Sequence, residues 1–572
     1  MHKMKKLKLG LTMAGAVSAG AYTAGVIDYL LETLDAWEAA KDNNRKIGKG
    51  NSGYDPTIPM HDVVIEVMSG ASAGGITSIV AAAALQQKFN SITSDKRDDR
   101  SHAALHQSNP LYNTWVNLTQ DDMVADLFST NDVTKNNKIN SLLNSSFKET
   151  IAQRVLNKVS NPVKRSYIAD ELDIIVTLTS LNGIPFELGF SSNANNTNVY
   201  RATSHRDFAH FKVGNSSYTN DGRIPIDFTT DANFDKMRIA AMATGAFPIG
   251  LSARKLAREK KYVQDNPYIN PLNGLTDQEL HIPNNFETLN SDGGILNNEP
   301  FDVARKILAS RIKGLGTKEL AKMDIDTTLE NDLKFVSEKD MEGTIIMIDP
   351  FPSEAEVDFD FDDGILSMVS KVLGAMRGEL LFKKEDLQLA YNENNYSRFM
   401  IAPKRSNIQG SKAIACGSLG GFGGFFHKEF RKHDFYLGRR NAQYFLRKNF
   451  AVSENTSNPV VAGGYTAEAK NRFLIVEPDG KYIPIIPDLR YDKNSLANNS
   501  EPAYKWPVYP TSELNNVRNH VSNRSEVVLN KVMQDLGVGK VLSWSVSKVA
   551  KGTVAKRVVG AIEKDFKKHG LI

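Results

Sequence analysis

Cysteine is all but missing from this chain: Cys416 is the single thiol among 572 residues. One thiol closes no internal disulfide and builds no multi-cysteine zinc site, so a disulfide scaffold is excluded and a reducing, cytoplasmic compartment suits the chain. No run of roughly 20 uninterrupted apolar residues occurs, and no transmembrane helix is expected. Internal repeats are lacking. Charge of one sign is not in excess either, with a net +4 over 24% charged and 41% hydrophobic residues. That balance excludes collagen-like, coiled-coil and globally disordered chains. The small surplus is uneven: residues 540–572 hold seven lysines and one arginine against two acids. Their net +6 leaves −2 for the rest of a chain that totals +4. A near-neutral body without a known binding module argues against nucleic acid as a partner.

What is present begins at the N-terminus. MHKMKKLKLGLTMAGAVSAGAYTAGVIDYLL resembles a secretory leader, yet Lys8 and Gly10 interrupt its apolar part. A strand over Leu7–Met13, a small-residue loop over Gly15–Gly20 and a helix over Ala21–Leu31 fit it better. The loop glycines do not form G-x-G-x-x-G, and no Gly-Lys-Ser/Thr follows to hold a triphosphate. Backbone N–H groups at a helix start nevertheless form an anion cradle, and the anion can be a transient oxyanion.

A second unit repeats this logic. Val63–Ser69 reads as a strand and Ala73–Gln86 as an alanine-rich helix, joined by Gly70-Ala71-Ser72-Ala73-Gly74. The bare G-x-S-x-G pattern arises by chance about 0.2 times in a chain of this length. Its position on a sharp strand-to-helix turn is what marks a nucleophile elbow, and a serine simply capping a helix is the bland alternative. A nucleophilic serine needs a base. The late histidines His427, His433 and His569 sit in no recognisable strand-end setting, whereas Asp292 heads Asp292-Gly293-Gly294 after the run Ala241–Gly250 (AMATGAFPIG).

Together these segments resemble the patatin-like phospholipases: a glycine loop leading into Gly20-Ala21-Tyr22-Thr23-Ala24-Gly25-Val26, then G-x-S-x-G, then Asp-Gly-Gly. The resemblance covers roughly residues 7 to 310, and an apolar strand at Thr344–Ile348 belongs to the same sheet. It implies a three-layer α/β fold with a central, mostly parallel sheet flanked by helices. It also implies a Ser72–Asp292 dyad that needs no histidine, metal or cofactor, acting on fatty-acyl esters of lipids. The family's loop pattern falls on Gly15-Ala16-Val17-Ser18-Ala19-Gly20, where only the outer glycines are kept and Ala19 replaces a basic residue. Oxyanion donors are then expected from Gly15, Ala16, Val17 and Ala73, with Gly20, Gly70, Gly74, Gly293 and Gly294 shaping the turns. A β-branched Val17 is disfavoured at positive φ, which predicts a differently shaped loop.

The remainder divides into a catalytic core over 1–355, a mainly helical extension over 356–535 and a basic amphipathic tail over 536–572. Residues 32–59 read as a polar insertion, and 105–160 as helices capping the substrate entrance. Leu172–Leu178 reads as a core strand with 185–190 paired beside it, and 473–486 as a hairpin around Pro478-Asp479-Gly480. Asp358–Gly364 approximates a calcium loop, but Asp363 and Val369 stand where glycine and glutamate are required, so it reads as a solvated acidic loop. Cys416–Phe450 resembles a segment of larger bacterial patatin-like proteins. Its glycine-aromatic run suits an acyl channel and Arg439 with Arg440 a phosphate headgroup, or else a turn into a packed helix with a solvated basic face. The tail either lies on an anionic membrane surface, making the protein peripheral, or docks its apolar stripe on the globule. Rival functions are a catalytically silent scaffold, a Ser-His-Asp esterase and a nucleotide-binding enzyme.

Overall fold

The computed structural model describes residues 5–118, 120–193, 196–214, 217–272, 279–315, 336–352, 395–491 and 500–572. Strand β1 (Leu7–Met13) is buried almost throughout, and its chain passes through the glycine loop into helix α1 (Gly20–Ile47). The same plan recurs in β2 (Val63–Gly70) and α2 (Ala73–Ala84). β2 is a near-continuous apolar run and β1 is buried at every position but Lys8, as strands covered on both faces by helices must be. β1 and β2 pair in parallel with Met13 opposite Gly70, so both strand-to-helix turns emerge side by side.

The cap follows, including α3 (Phe147–Val155), and leads to β3 (Ile168–Asn193) and β4 (Asn196–Val213). Residues 172–178 and 185–190 are not partners of each other. They lie along the single strand β3, and both pair antiparallel with β4. After β5 (Ile224–Ile226) come α4 (Phe234–Thr244), β6 (Arg254–Glu259) and β7 (Asn285–Asp292), then α5 (Phe301–Lys313). β8 (Gly343–Ile348) pairs in parallel with β1, and β9 (Arg398–Ile401) in parallel with β8. The nine-stranded sheet runs β5-β4-β3-β2-β1-β8-β9, with β7 joining β3 and β6 joining β7. It is a mostly parallel sheet flanked by helices, a patatin-like α/β fold.

Register places the chemistry. Gly70 aligns with Val176 on β3, and Leu178, two residues on, aligns with Asp292 of β7. The carboxyl ends of β1 and β2 therefore meet the end of β7 at one edge of the sheet, the usual binding edge of an α/β fold.

Two expectations fail in the same way. Residues 32–47 continue α1 instead of forming a polar insertion, because polar side chains there are used internally. Lys41 is fully buried and pairs with Glu38 at 2.5 Å and Asp62 at 2.8 Å. Likewise α6 (Lys428–Lys448) keeps only part of the expected basic face: Arg440 is exposed, but Arg431 and Arg439 are both fully buried. Arg439 pairs with Asp28, with Glu32 at 2.6 Å and with Glu501 at 2.8 Å, so it is not available to a headgroup.

α6 packs along α1 at backbone contact distance. A Cβ added to Gly25 would stand 1.9 Å from the Phe435 carbonyl oxygen, and one on Gly438 would stand 2.2 Å from that of Tyr22. Neither helix backbone can yield, so Gly25→Ala is expected to cost at least about 3 kcal/mol, read as a lowered unfolding midpoint in denaturant.

Further on, the hairpin over Ile475–Glu477 and Gly480–Pro484 forms around the expected turn and gains a third strand, Ala451–Ser453. The chain ends in two long helices, α7 (Leu514–Asp535) and α8 (Lys540–Lys568). The acidic run Asp358–Gly364 lies outside the described residues, as does the start of the helical extension. Among the described residues no helix is long and apolar enough to cross a membrane.

Candidate active site

Ser72 occupies the turn between β2 and α2 with φ 49° and ψ −122°. A non-glycine residue there is strained by about 1–3 kcal/mol, and the turn is held by what surrounds it. A Cβ on Gly74 would lie 2.0 Å from the Met13 carbonyl oxygen, so only glycine lets α2 start this close to β1. The Ser72 N–H donates to Thr244 Oγ1 at 2.8 Å. Its hydroxyl donates to Asp292 Oδ2 at 2.7 Å, across 220 residues of sequence. The other carboxylate oxygen accepts the Gly294 N–H at 2.7 Å, and the Asp292 backbone is fixed by Thr179 Oγ1 and the Ala246 carbonyl. Gly293 and Gly294 thus shape the turn that aims the carboxylate.

The glycine loop lies against this pair: a Cβ on Gly15 would be 3.1 Å from Ser72 Cβ. Gly15 itself is not an open donor, because its N–H goes to the Asn298 carbonyl at 3.2 Å. The N–H groups of Ala16, Val17 and Ala73 have no acceptor among the described residues. Val17 does take the left-handed conformation its side chain disfavours, with φ 48°. Its neighbour explains how. Ser18 Oγ donates to the Gly421 carbonyl at 2.5 Å and accepts the Gly424 N–H at 2.9 Å, clamping the loop to the 416–426 turn. Gly20 keeps the helix start flat where the Trp115 ring crosses it.

Ser72 and Asp292 line an apolar cavity of about 830 Å³ of atom-free space, part of it open to solvent. Trp115, Leu118, Phe147, Ile151 and Val155 of the cap form one wall, and Ile76 and Val80 of α2 another. Phe425, from the glycine-aromatic run, contributes as well. Among the described lining residues there is no histidine. His427 caps α6, His433 bonds Asp434, and His569 bonds the Asp565 carbonyl.

One polar group in this cavity escaped sequence reading. Lys148 is buried, and its ammonium donates to the Met242 carbonyl at 3.1 Å and leans on that of Gly245 at 3.5 Å. Burial chiefly, then the Arg254 charge, pulls its pKa from 10.5 to about 7, against the opposing pull of Glu149 and Asp292. Phe147-Lys148-Glu149 reads locally as the edge of a surface helix. Its burial depends on carbonyls nearly a hundred residues away.

A serine on a strained strand-to-helix turn beside an apolar cavity is the arrangement of a serine hydrolase. A family model for patatin-like phospholipase matches residues 11–305, and the chain belongs to that family. It is also 31% identical over 534 residues to the uncharacterized protein y4iI of Sinorhizobium fredii (strain NBRC 101917 / NGR234). That match spans 84% of this chain and 70% of the relative.

Proposed function

We propose that this protein is a serine acyl hydrolase that cleaves fatty-acyl esters of lipids through a Ser72–Asp292 dyad. The observation that carries the reading is the 2.7 Å hydrogen bond from the Ser72 hydroxyl to the Asp292 carboxylate in the lining of an apolar cavity. In the reaction Asp292 takes the hydroxyl proton as Ser72 Oγ attacks the ester carbonyl. The tetrahedral oxyanion is held by the unengaged N–H groups of Ala16, Val17 and Ala73, and the acyl chain lies in the cavity. Collapse expels the alcohol, which receives the proton from Asp292. Water, deprotonated by the same carboxylate, then attacks the acyl-enzyme and releases the fatty acid. No metal or cofactor takes part in these steps.

The substrates are phospholipids or neutral glycerides met at a membrane surface, with the protein peripheral to it. The lone buried Cys416 suits a cytoplasmic setting. Incubation with a fluorophosphonate probe tests the reading: covalent labelling of wild type and none of Ser72→Ala is expected. Absence of label on both proteins would select a silent patatin-like scaffold instead.

A further inference from the structure

Helices α7 and α8 form an antiparallel hairpin whose two ends obey opposite rules. The C-terminal half of α8 is conventional: Ala555, Val559, Ile562 and Phe566 are buried, and the Phe566 ring meets Phe426, Phe430 and Tyr509 edge-on. The N-terminal half is inverted. Ser543 and Ser547, one turn apart, face inward, and Ser543 Oγ donates to Asn530 Oδ1 of α7 at 2.8 Å. The apolar residues face outward instead, with Val541 80%, Leu542 61%, Trp544 49% and Val549 82% exposed, and Leu536 in the turn after α7 is 79% exposed. A helix destined for water on that side would carry the reverse pattern.

The patch is also basic. Residues 531–551 hold four lysines and one aspartate, and Lys540 and Lys548 have no ion pair among the described residues. Lys548 lies over the Trp544 ring at 4.6 Å. Outward apolar side chains, an amphipathic indole and unpaired lysines on one surface match the boundary between anionic headgroups and acyl chains. They do not match a second copy of this chain, which would bring lysine against lysine.

The hairpin is fixed to the mouth of the cavity. Arg524 of α7 is buried and donates to the Ser129, Ser141 and Leu142 carbonyls while pairing with Asp132. Leu142 and Leu143 in turn donate to the Ile249 and Gly250 carbonyls at 2.9 and 3.0 Å. That turn holds Phe247 and Leu251 of the cavity lining, and Leu142, Phe247 and Ile249 are themselves exposed. From Arg524 to Leu536 the helix rises roughly 18 Å. The exposed apolar tip and the apolar rim thus belong to one braced unit.

We infer that the α7–α8 tip, residues 532–549, inserts into the interface of an anionic bilayer and holds the cavity mouth against it. This rests on the acyl hydrolase reading for its purpose, so binding is measured on full-length Ser72→Ala, where turnover plays no part. Vesicles of equimolar phosphatidylcholine and phosphatidylglycerol are expected to co-sediment this protein and shift Trp544 emission to the blue. The triple change Leu536→Ser, Leu542→Ser, Trp544→Ser should cut partitioning at least about tenfold. Lys540→Glu with Lys548→Glu, which leaves the apolar patch intact, should weaken binding to these vesicles and not to pure phosphatidylcholine. In the Ser72 background, fluorophosphonate labelling of both variants should match wild type. Labelling without vesicle binding would overturn this inference alone, and binding without labelling would overturn only the hydrolase reading. Equal partitioning of all variants would also overturn it, as would a solution dimer that the triple change converts to monomer.

Discussion

Replacing Asp292 with Asn is expected to lower kcat on a fatty-acyl ester by about 10³–10⁴-fold, with little change in thermal stability. The two side chains have nearly the same shape, and an amide oxygen at the Oδ1 position still accepts the Gly294 N–H that now comes within 2.7 Å. The backbone bonds to Thr179 and Ala246 are untouched. What changes is the atom facing Ser72. In place of a carboxylate oxygen accepting the hydroxyl proton at 2.7 Å, an NH₂ group would be offered, which has no capacity to take a proton. Steady-state kinetics with a soluble ester, alongside a melting curve, checks both halves of the expectation. A Ser-His-Asp mechanism predicts the opposite result, near-full turnover in Asp292→Asn and its loss on changing a histidine. The late histidines are engaged elsewhere, at the start of α6, on Asp434 and near the C-terminus.

The parts of this site that could be read directly from the chain are those whose signal is local. β2 is an apolar run and both it and β1 lead into small residues, and the turn after β2 tolerates almost nothing else: beside Gly74 a single methyl would meet the Met13 carbonyl. Asp292 is marked by the two glycines that follow it. The sheet edge joining them follows from parallel pairing of β1 with β2. The features that escaped depend on partners far away in sequence. Lys41 and Arg439 look like solvated charges, yet Lys41 is buried against Asp62 of the next segment as well as its helix neighbour Glu38, and Arg439 against Asp28, Glu32 and Glu501, which takes Arg439 out of the expected basic face of α6. Val17 is poorly suited to positive φ by itself, and only the distant 416–426 turn, bonded through Ser18, holds it there. The tail shows apolar residues around its whole circumference, so periodicity alone does not tell which face its neighbours occupy. The globule takes Val559 and Phe566, and the two serines turn inward at the other end.

Lys148→Met is expected to reduce kcat by about 10²-fold and to change how stability depends on pH. The ammonium braces the carbonyls of Met242 and Gly245 at the end of α4. That stretch holds both Ser72 and Asp292, since Thr244 accepts the Ser72 N–H and the Ala246 carbonyl accepts the N–H of Asp292 and the hydroxyl of Ser291. A methionine donates nothing, so these carbonyls lose their partner and the segment relaxes away from the dyad. The pH effect has a definite sign. Because burial lowers the Lys148 pKa from 10.5 to about 7, the unfolded chain binds one more proton than the folded one between those values. Stability of the wild type therefore rises with pH across that window, and the burial penalty is fully felt below it. Lys148→Met removes this contribution, so its melting temperature relative to wild type should be most favourable near about pH 6 and least favourable near about pH 10. Lys148→Gln, which keeps an N–H donor but no charge, should recover much of the lost turnover while retaining the altered pH dependence. Unfolding curves across that range, with kcat measured on the same three proteins, separate the bracing hydrogen bonds from the charge.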